Sequence, residues 1–173
     1  MCFNLIEFYF LPSSDLKPQN IMVTPSGFVK IIDFGLATAV RKHSPDSTTT
    51  VYPLQGCTGS LRYMAPEVAL SQPYNEKSDI HSFGILLWQI STGKLPFAGF
   101  SLEKLVLEVI QGGLRPETGA TRGGRRCSKS KVIIDPCIAE ICERCFHSGS
   151  AMRPSASELL QTFSTILNKR SQT

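Results

Sequence analysis

Asp15, Asn20 and Asp33 are oxygen-bearing side chains that stand close together near the start of this 173-residue chain. Between the last two, the apolar runs 21–23 and 28–32 flank the turn sequence Thr-Pro-Ser-Gly, which predicts a β-hairpin. Because a hairpin folds its ends together, we expect Asn20 and Asp33 to lie side by side at its open end. Magnesium prefers such oxygen ligands and completes its shell with water and phosphate. The spacing therefore predicts a metal–phosphate site with a second carboxylate, Asp15, nearby.

Downstream of the hairpin, the apolar periodicity predicts four helices. The first begins with Asn75 as its N-cap, contains the apolar run 80–90 and ends before Gly93, so it belongs in the middle of a domain. The others are 103–111, a helix that follows Pro136, and one that opens at Ser155 with Glu158 in a capping box. Their predicted buried positions are Leu102, Leu105, Val106, Val109 and Ile110; Ile138, Ile141, Cys142, Cys145 and Phe146; and Leu159, Leu160, Phe163, Ile166 and Leu167.

The composition predicts one globular domain of α+β class, mainly α-helical, with loops at 33–55 and 114–132. A hydrophobic content of 42% excludes a disordered chain, and the net charge of +4 permits an acidic ligand without demanding one. The six cysteines are expected to be free thiols in a reducing compartment, which favours the cytoplasm. The apolar segment 1–11 lacks a basic leader and no apolar run reaches membrane-helix length, so neither secretion nor a membrane partner is predicted.

Two further patterns each have a structural and a functional interpretation. Cys142 and Cys145, with Cys137 and His147 near them, could bind zinc, but both lie on the apolar stripe of their helix, so core packing is favoured. The basic stretch 122–131 could bind nucleic acid or an acidic partner. Aromatic residues do not interleave with its charges, so a solvated loop is favoured and no nucleic-acid partner is expected.

Three motifs in order carry a family resemblance. They are D-L-K-P-Q-N at 15–20, D-F-G at 33–35 and A-P-E at 65–67. Together they resemble the signature of eukaryotic protein kinases of the serine/threonine type. The resemblance covers about residues 15–168 and implies the C-terminal lobe of that fold, with a small β-hairpin at the catalytic loop. The Arg-Pro-Ser stretch 153–155 and the cysteine-containing stripe 138–146 look slightly like the tyrosine-kinase-like group.

The resemblance implies a role for each site residue. Asp15 would accept or orient the proton of the substrate hydroxyl, and Lys17 would offset the charge of the transferred phosphate. Asn20 and Asp33 would hold Mg²⁺. The implied cofactor contacts, with ATP and Mg²⁺ as cofactors, are Asn20, Asp33, Phe34 and Gly35.

Supporting roles follow from the same resemblance. Ser60, in the implied substrate-docking loop 59–63, takes the usual threonine place and would hydrogen-bond Asp15. Asp79 would brace the catalytic loop, and Arg153 would pair with Glu67. His81 replaces an aromatic residue that is seen in many kinases and is interpreted as structural.

The chain departs from the family pattern at its start. Ser13 and Ser14 stand where kinases have histidine and arginine, so a phosphate on the activation loop would lack its usual arginine partner. The 14 residues before Asp15 are too few for the glycine-rich loop, strand lysine and helix glutamate that grip ATP. We therefore expect a non-matching segment at 1–14, a partial kinase domain at 15–168 and a tail at 169–173. The N-terminal lobe is expected to be absent, so activity would need that lobe or a partner.

Two functions of different classes follow. The first is phosphoryl transfer from ATP–Mg²⁺ to serine or threonine hydroxyls of a protein substrate, although the expected absence of the N-terminal lobe favours inactivity of the isolated chain. The alternative is a non-catalytic, pseudokinase-like binding module that uses the helical lobe, notably 101–111 and the basic loop, as a docking surface. Apolar surface around the D-F-G motif is expected to be exposed in either case.

Overall fold

The computed structural model describes residues 15–35, 61–119 and 134–171, together with the backbone of two short strands at 9–10 and 40–41. Strand β1 (Tyr9–Phe10) pairs with β4 (Val40–Arg41), and β2 (Ile21–Val23) pairs with β3 (Val29–Ile31), both antiparallel. The segment 33–55, predicted as a loop, therefore contains a short strand, because the backbone of 40–41 finds hydrogen-bonding partners at 9–10. The basic stretch 122–131 lies outside the described residues.

Strands β2 and β3 form the predicted hairpin, with Ile21 opposite Ile31 and Val23 opposite Val29. Thr24 closes the turn: its amide donates to the Phe28 carbonyl at 2.8 Å and its Oγ1 accepts from the Phe28 amide at 3.0 Å. Gly27, with a φ of 83°, supplies the left-handed backbone that the turn needs. The hairpin prediction is confirmed.

The helices account for about half of the described chain. They are α1 (Pro66–Ala69), α2 (Lys77–Thr92), α3 (Leu102–Lys104) with its π-helical continuation Leu105–Gln111, α4 (Pro136–Cys145) and α5 (Ala156–Arg170). Single 3₁₀ turns lie at Pro18–Asn20 and Ser150–Met152. Helix α1, which begins at a proline within the A-P-E motif, was not predicted as a helix; a proline at the first helical position is the signal for it.

Most of the predicted helix ends are confirmed. Gly93 ends α2 with a φ of 65°, and Ser155 and Glu158 form the reciprocal capping box of α5. The N-cap of α2 is Glu76 and not Asn75, although Asn75 Oδ1 still accepts a hydrogen bond from the Lys77 amide at 3.0 Å. Asn75 therefore accepts a hydrogen bond from the first amide of α2, although it lies one position before the N-cap.

Helices α2 and α4 form the centre of the fold. At Gly84 an added Cβ would lie 2.5 Å from the Cβ of Cys145, so only glycine allows the helices to come this close. Cys142 and Cys145 are fully buried in this contact, which confirms core packing for both. Within the described residues, no group of three or more histidine, cysteine, aspartate or glutamate side chains could hold a metal ion.

Three predicted core leucines are exposed instead. Leu102 is 60% exposed, Leu160 71% and Leu167 63%. Leu102 lies in the first turn of α3, before that helix reaches the core. Helix α5 packs on one side only, through Leu159, Phe163 and Ile166, so positions one residue away from that stripe face solvent. None of the helices in the described part of the chain is long and apolar enough to cross a membrane.

Candidate active site

The catalytic-loop residues predicted from the sequence come together in the turn that precedes β2. Asp15 and Lys17 form an ion pair. Asn20 is buried in this turn, and its Nδ2 donates to the Asp15 carbonyl oxygen at 2.9 Å and to Asp15 Oδ2 at 3.2 Å. Pro18 opens the 3₁₀ turn that makes this possible, because it brings positions 17 and 20 within one hydrogen bond of 3.0 Å. The Asp15 carboxylate is thus held by a cation and an amide.

Asp33 lies beside this turn because the hairpin returns the chain to it. The Ile32 amide, in the residue before Asp33, donates to the Asn20 carbonyl oxygen at 2.8 Å. This hydrogen bond brings the backbone of Asn20 next to that of Asp33. Asp33 has a φ of 65°, a left-handed conformation that aspartate tolerates better than most residues. Its Oδ1 accepts from the Gly35 amide at 3.1 Å, which fixes the carboxylate. Phe34, by contrast, is 54% exposed.

The donor set at this end of the hairpin fits a magnesium ion. Nδ2 of Asn20 donates to Asp15. The Asn20 Oδ1 atom lies on the other side of the amide group and is available as a metal ligand. Asp33 likewise keeps Oδ2 when Oδ1 takes the Gly35 amide. One amide oxygen and one carboxylate oxygen are what Mg²⁺ needs from a protein when phosphates and waters fill the other positions.

Glu67 and Arg153 form a bidentate ion pair. Arg153 Nη1 lies 2.5 Å from Glu67 Oε1, and Nη2 lies 2.9 Å from Oε2. The same guanidinium group donates to the carbonyls of Lys77 and His147, both at 2.9 Å. With no exposed side-chain surface, Arg153 therefore joins α1, the start of α2 and the segment after α4.

A half-buried arginine, which was not predicted from the sequence, lies near this pair. Arg115 donates to the carbonyls of Phe146 (2.9 Å) and Val109 (3.1 Å), and burial lowers its pKa to about 10, with Arg153 adding to the effect. His81 is fully buried, and its own burial holds its pKa well below 6.5. The positive charges of Arg115 and Arg153 lower this pKa further. The His81 Nδ1 lies 3.4 Å from the Tyr63 carbonyl. His81 is therefore a neutral residue of the core.

The remaining predicted site residues have different placements. Asp79 lies half-buried in the first turn of α2, and its bracing role stays a prediction. Ser60 lies outside the described residues. The described part of the implied docking loop, 61–63, is anchored: Tyr63 is buried, and its hydroxyl donates to Gln89 Oε1 at 2.5 Å. Arg62, also missed from the sequence, donates to three carbonyls of the turn after α2. The resemblance places Arg62 in the docking loop 59–63 without assigning it a role.

Comparison with known proteins shows the family of the chain. The family model for the protein kinase domain matches residues 12–163. The chain is 34% identical over 152 residues to the serine/threonine-protein kinase STY46 of Arabidopsis thaliana, covering 88% of this chain and 23% of that protein. It is 30% identical to the kinase STY17 of the same plant, covering 90% and 24%. The chain thus spans about a quarter of the length of these curated relatives. It belongs to the protein kinase family.

Proposed function

We propose that this chain is the C-terminal lobe of a serine/threonine protein kinase, which transfers a phosphoryl group from ATP–Mg²⁺ to serine or threonine hydroxyls of a protein substrate. The observation that carries the proposal is the double use of Asn20. Its side chain binds Asp15, and its backbone carbonyl binds the Ile32 amide beside Asp33. A single residue thus links the implied base to the implied metal ligand.

Each side chain has a role in this reaction. Asp15 orients the substrate hydroxyl and accepts its proton as the oxygen attacks. Lys17, which in this structure is paired with Asp15, would compensate the charge of the carboxylate and of the incoming phosphate. Asn20 Oδ1 and Asp33 would hold Mg²⁺, whose charge neutralises that of the phosphates. Phe34 and Gly35 follow Asp33 and complete the cofactor side of the site.

The supporting residues fix this geometry and do not react. The Glu67–Arg153 pair ties α1 to α2, and α1 directly follows the docking loop 59–63. Ser60 would hydrogen-bond Asp15 from that loop, and Asp79 would brace the catalytic loop from α2. These two assignments rest on the family resemblance alone. The free thiols Cys137, Cys142 and Cys145 suit a reducing compartment such as the cytoplasm.

The competing proposal is a non-catalytic binding module of the pseudokinase type. The observation that favours it is the apolar surface of the hairpin and the D-F-G motif. The large hydrophobic residues exposed there are Met22, Val23, Phe28, Val29, Ile31, Ile32 and Phe34. Such a patch binds another protein surface, either the rest of a kinase or a separate partner.

Nucleotide binding and phosphotransfer by the full chain separate the two proposals. Titration calorimetry with ATP, with and without Mg²⁺, and transfer of labelled γ-phosphate to a serine peptide would be measured for the unsubstituted chain, Asp33→Asn and Asn20→Ala. Glu140→Gln, on the exposed face of α4, is the control. The catalytic proposal predicts magnesium-dependent binding that both site variants lose and the control keeps. Equal inertness of the unsubstituted chain and Asp33→Asn would defeat the catalytic proposal for this chain.

A further inference from the structure

Arg62 joins two segments that are distant in sequence. It lies in segment 61–65, which leads into α1, and its guanidinium group reaches the turn 96–100 that follows α2. Nη1 donates to the Pro96 carbonyl at 3.0 Å and to the Phe97 carbonyl at 2.6 Å, and Nη2 donates to the Phe100 carbonyl at 3.3 Å. One side chain therefore binds three carbonyl oxygens of this turn.

The turn that Arg62 holds is strained, and its first two residues, Pro96 and Phe97, are buried. Phe97 has a φ of 51°, in the left-handed region that a bulky side chain rarely adopts. Its ring is only 4% exposed and packs in one cluster with Leu61, Met64 and Ala65. Residues keep such conformations only where the surrounding structure enforces them. Here the apolar cluster holds the ring of Phe97, and Arg62 binds its carbonyl oxygen. The two contacts together keep Phe97 in the left-handed conformation.

Arginine is suited to this contact in a way that lysine is not. The guanidinium group is planar and presents five N–H donors in a fixed fork, so one side chain can bind several carbonyls whose positions are set. A lysine ammonium group is a point charge on a flexible stem. The presence of arginine at position 62 therefore indicates that the side chain fixes the relative position of the two segments. Neutralising the carbonyl dipoles alone would not require a planar group with several donors.

We propose that Arg62 is a positioning residue of the substrate site. It holds turn 96–100 against segment 61–65, so that 61–63, the described part of the docking loop, keeps the shape that a substrate peptide must match. Arg62 touches no reacting atom and acts through the carbonyls of Pro96, Phe97 and Phe100. The inference rests on the proposed kinase function, and it names the part of the chain that sets how well the protein substrate binds.

The test compares Arg62→Ala and Arg62→Lys with the unsubstituted full chain, and Arg144→Ala, an exposed arginine on α4, is the matched control. Amide hydrogen exchange is followed at 61–65 and 96–100, and kcat and KM are measured separately for a serine peptide and for ATP. Direct binding of the same peptide, labelled with a fluorophore, is measured by anisotropy. All comparisons are made at a temperature at which circular dichroism shows each variant folded.

We expect Arg62→Ala to raise the peptide KM about tenfold, because part of the binding free energy must then order the loosened loop. The ATP KM and kcat should stay unchanged, exchange at 96–100 should accelerate, and Arg62→Lys should recover only part of the effect. An unchanged peptide KM and peptide affinity in Arg62→Ala would overturn the proposal, even if exchange accelerates, because Arg62 would then be structural only.

Failure of the kinase function itself has a different signature. If the unsubstituted chain transfers no phosphate, the peptide-binding measurement decides. Binding that Arg62→Ala weakens about tenfold supports the positioning role without catalysis. Absence of peptide binding by the unsubstituted chain overturns both proposals. Should Arg62→Ala not fold, the same comparisons are made with Arg62→Lys, and equal peptide affinity of that variant and the unsubstituted chain overturns the positioning role.

Discussion

Arg153 binds both carboxylate oxygens of Glu67, at 2.5 and 2.9 Å, across 86 residues of sequence. The arginine has no exposed side-chain surface, and the glutamate is 11% exposed. Burying two charges is costly unless each finds good partners, and here the guanidinium group also donates to the carbonyls of Lys77 and His147. The pair therefore fixes where α1 lies relative to the helices, and removal of either partner leaves an uncompensated charge.

Substitution of Arg153 by methionine should destabilise the protein strongly. Glu67 would be left buried without its cation, and the carbonyls of Lys77 and His147 would lose their donor. We expect a loss of about 3–5 kcal/mol in the free energy of unfolding, measured by urea denaturation. Arg170→Met is the matched control, because Arg170 pairs with Asp135 at the surface, where its side chain is 59% exposed. That change should cost less than about 1 kcal/mol. Equal losses of unfolding free energy in the two variants would contradict the structural role of the Glu67–Arg153 pair.

His81 should make stability depend on pH. Because burial holds its folded-state pKa well below 6.5, the unfolded chain binds more protons than the folded chain at and below that pH. Stability should therefore be complete above pH 6.5 and fall as the pH drops below it, by up to about 1.4 kcal/mol per pH unit. Denaturant unfolding between pH 7.5 and 5.5 measures this slope.

Two variants isolate the contribution of His81. His81→Phe should flatten the slope whatever its effect on absolute stability, since the titrating group is gone. His147→Gln, which replaces an exposed histidine, should leave the slope in place. A slope that persists in His81→Phe would mean that another group causes the pH dependence.

Gly84→Ala should destabilise the contact between α2 and α4. The added Cβ would meet the Cys145 Cβ at 2.5 Å and the Cys142 carbonyl oxygen at 3.4 Å. We expect a cost of about 1–3 kcal/mol, against the stabilisation that alanine normally brings to a helix. At Gly149, where the nearest atom would lie 3.6 Å away, the same change should stay within about 0.5 kcal/mol. Thermal or urea unfolding of both variants gives the comparison.

The apolar face of the hairpin should bind a hydrophobic dye or drive self-association. Val23 and Val29 are opposite each other in the register and are 65% and 67% exposed. Changing both to threonine keeps the β-branched shape and should lower the dye fluorescence of the full chain. Leu160→Gln, at a residue that is 71% exposed on α5, is the control and should change it less. A monomeric protein that leaves the dye dark would contradict the prediction.

Local features of the chain could be predicted because their causes lie within a few residues. The hairpin follows from two apolar runs around a Thr-Pro-Ser-Gly turn, and the end of α2 follows from Gly93. The capping box of α5 likewise requires only Ser155 and Glu158. The same holds for the proximity of Asn20 and Asp33, because a hairpin of any detailed geometry brings its two ends together.

Tertiary structure decided what periodicity alone leaves open. Leu159 and Leu160 are adjacent and equally apolar, yet only the first is buried, because the packing of α5 on one side selects the face. Arg62 and Arg115 were missed because their partners are backbone carbonyls, which every residue carries and which no sequence pattern marks. The sequence by itself thus determined the order of the motifs and the ends of the elements. Which side chains meet across the fold was decided by packing, since those contacts join residues many positions apart.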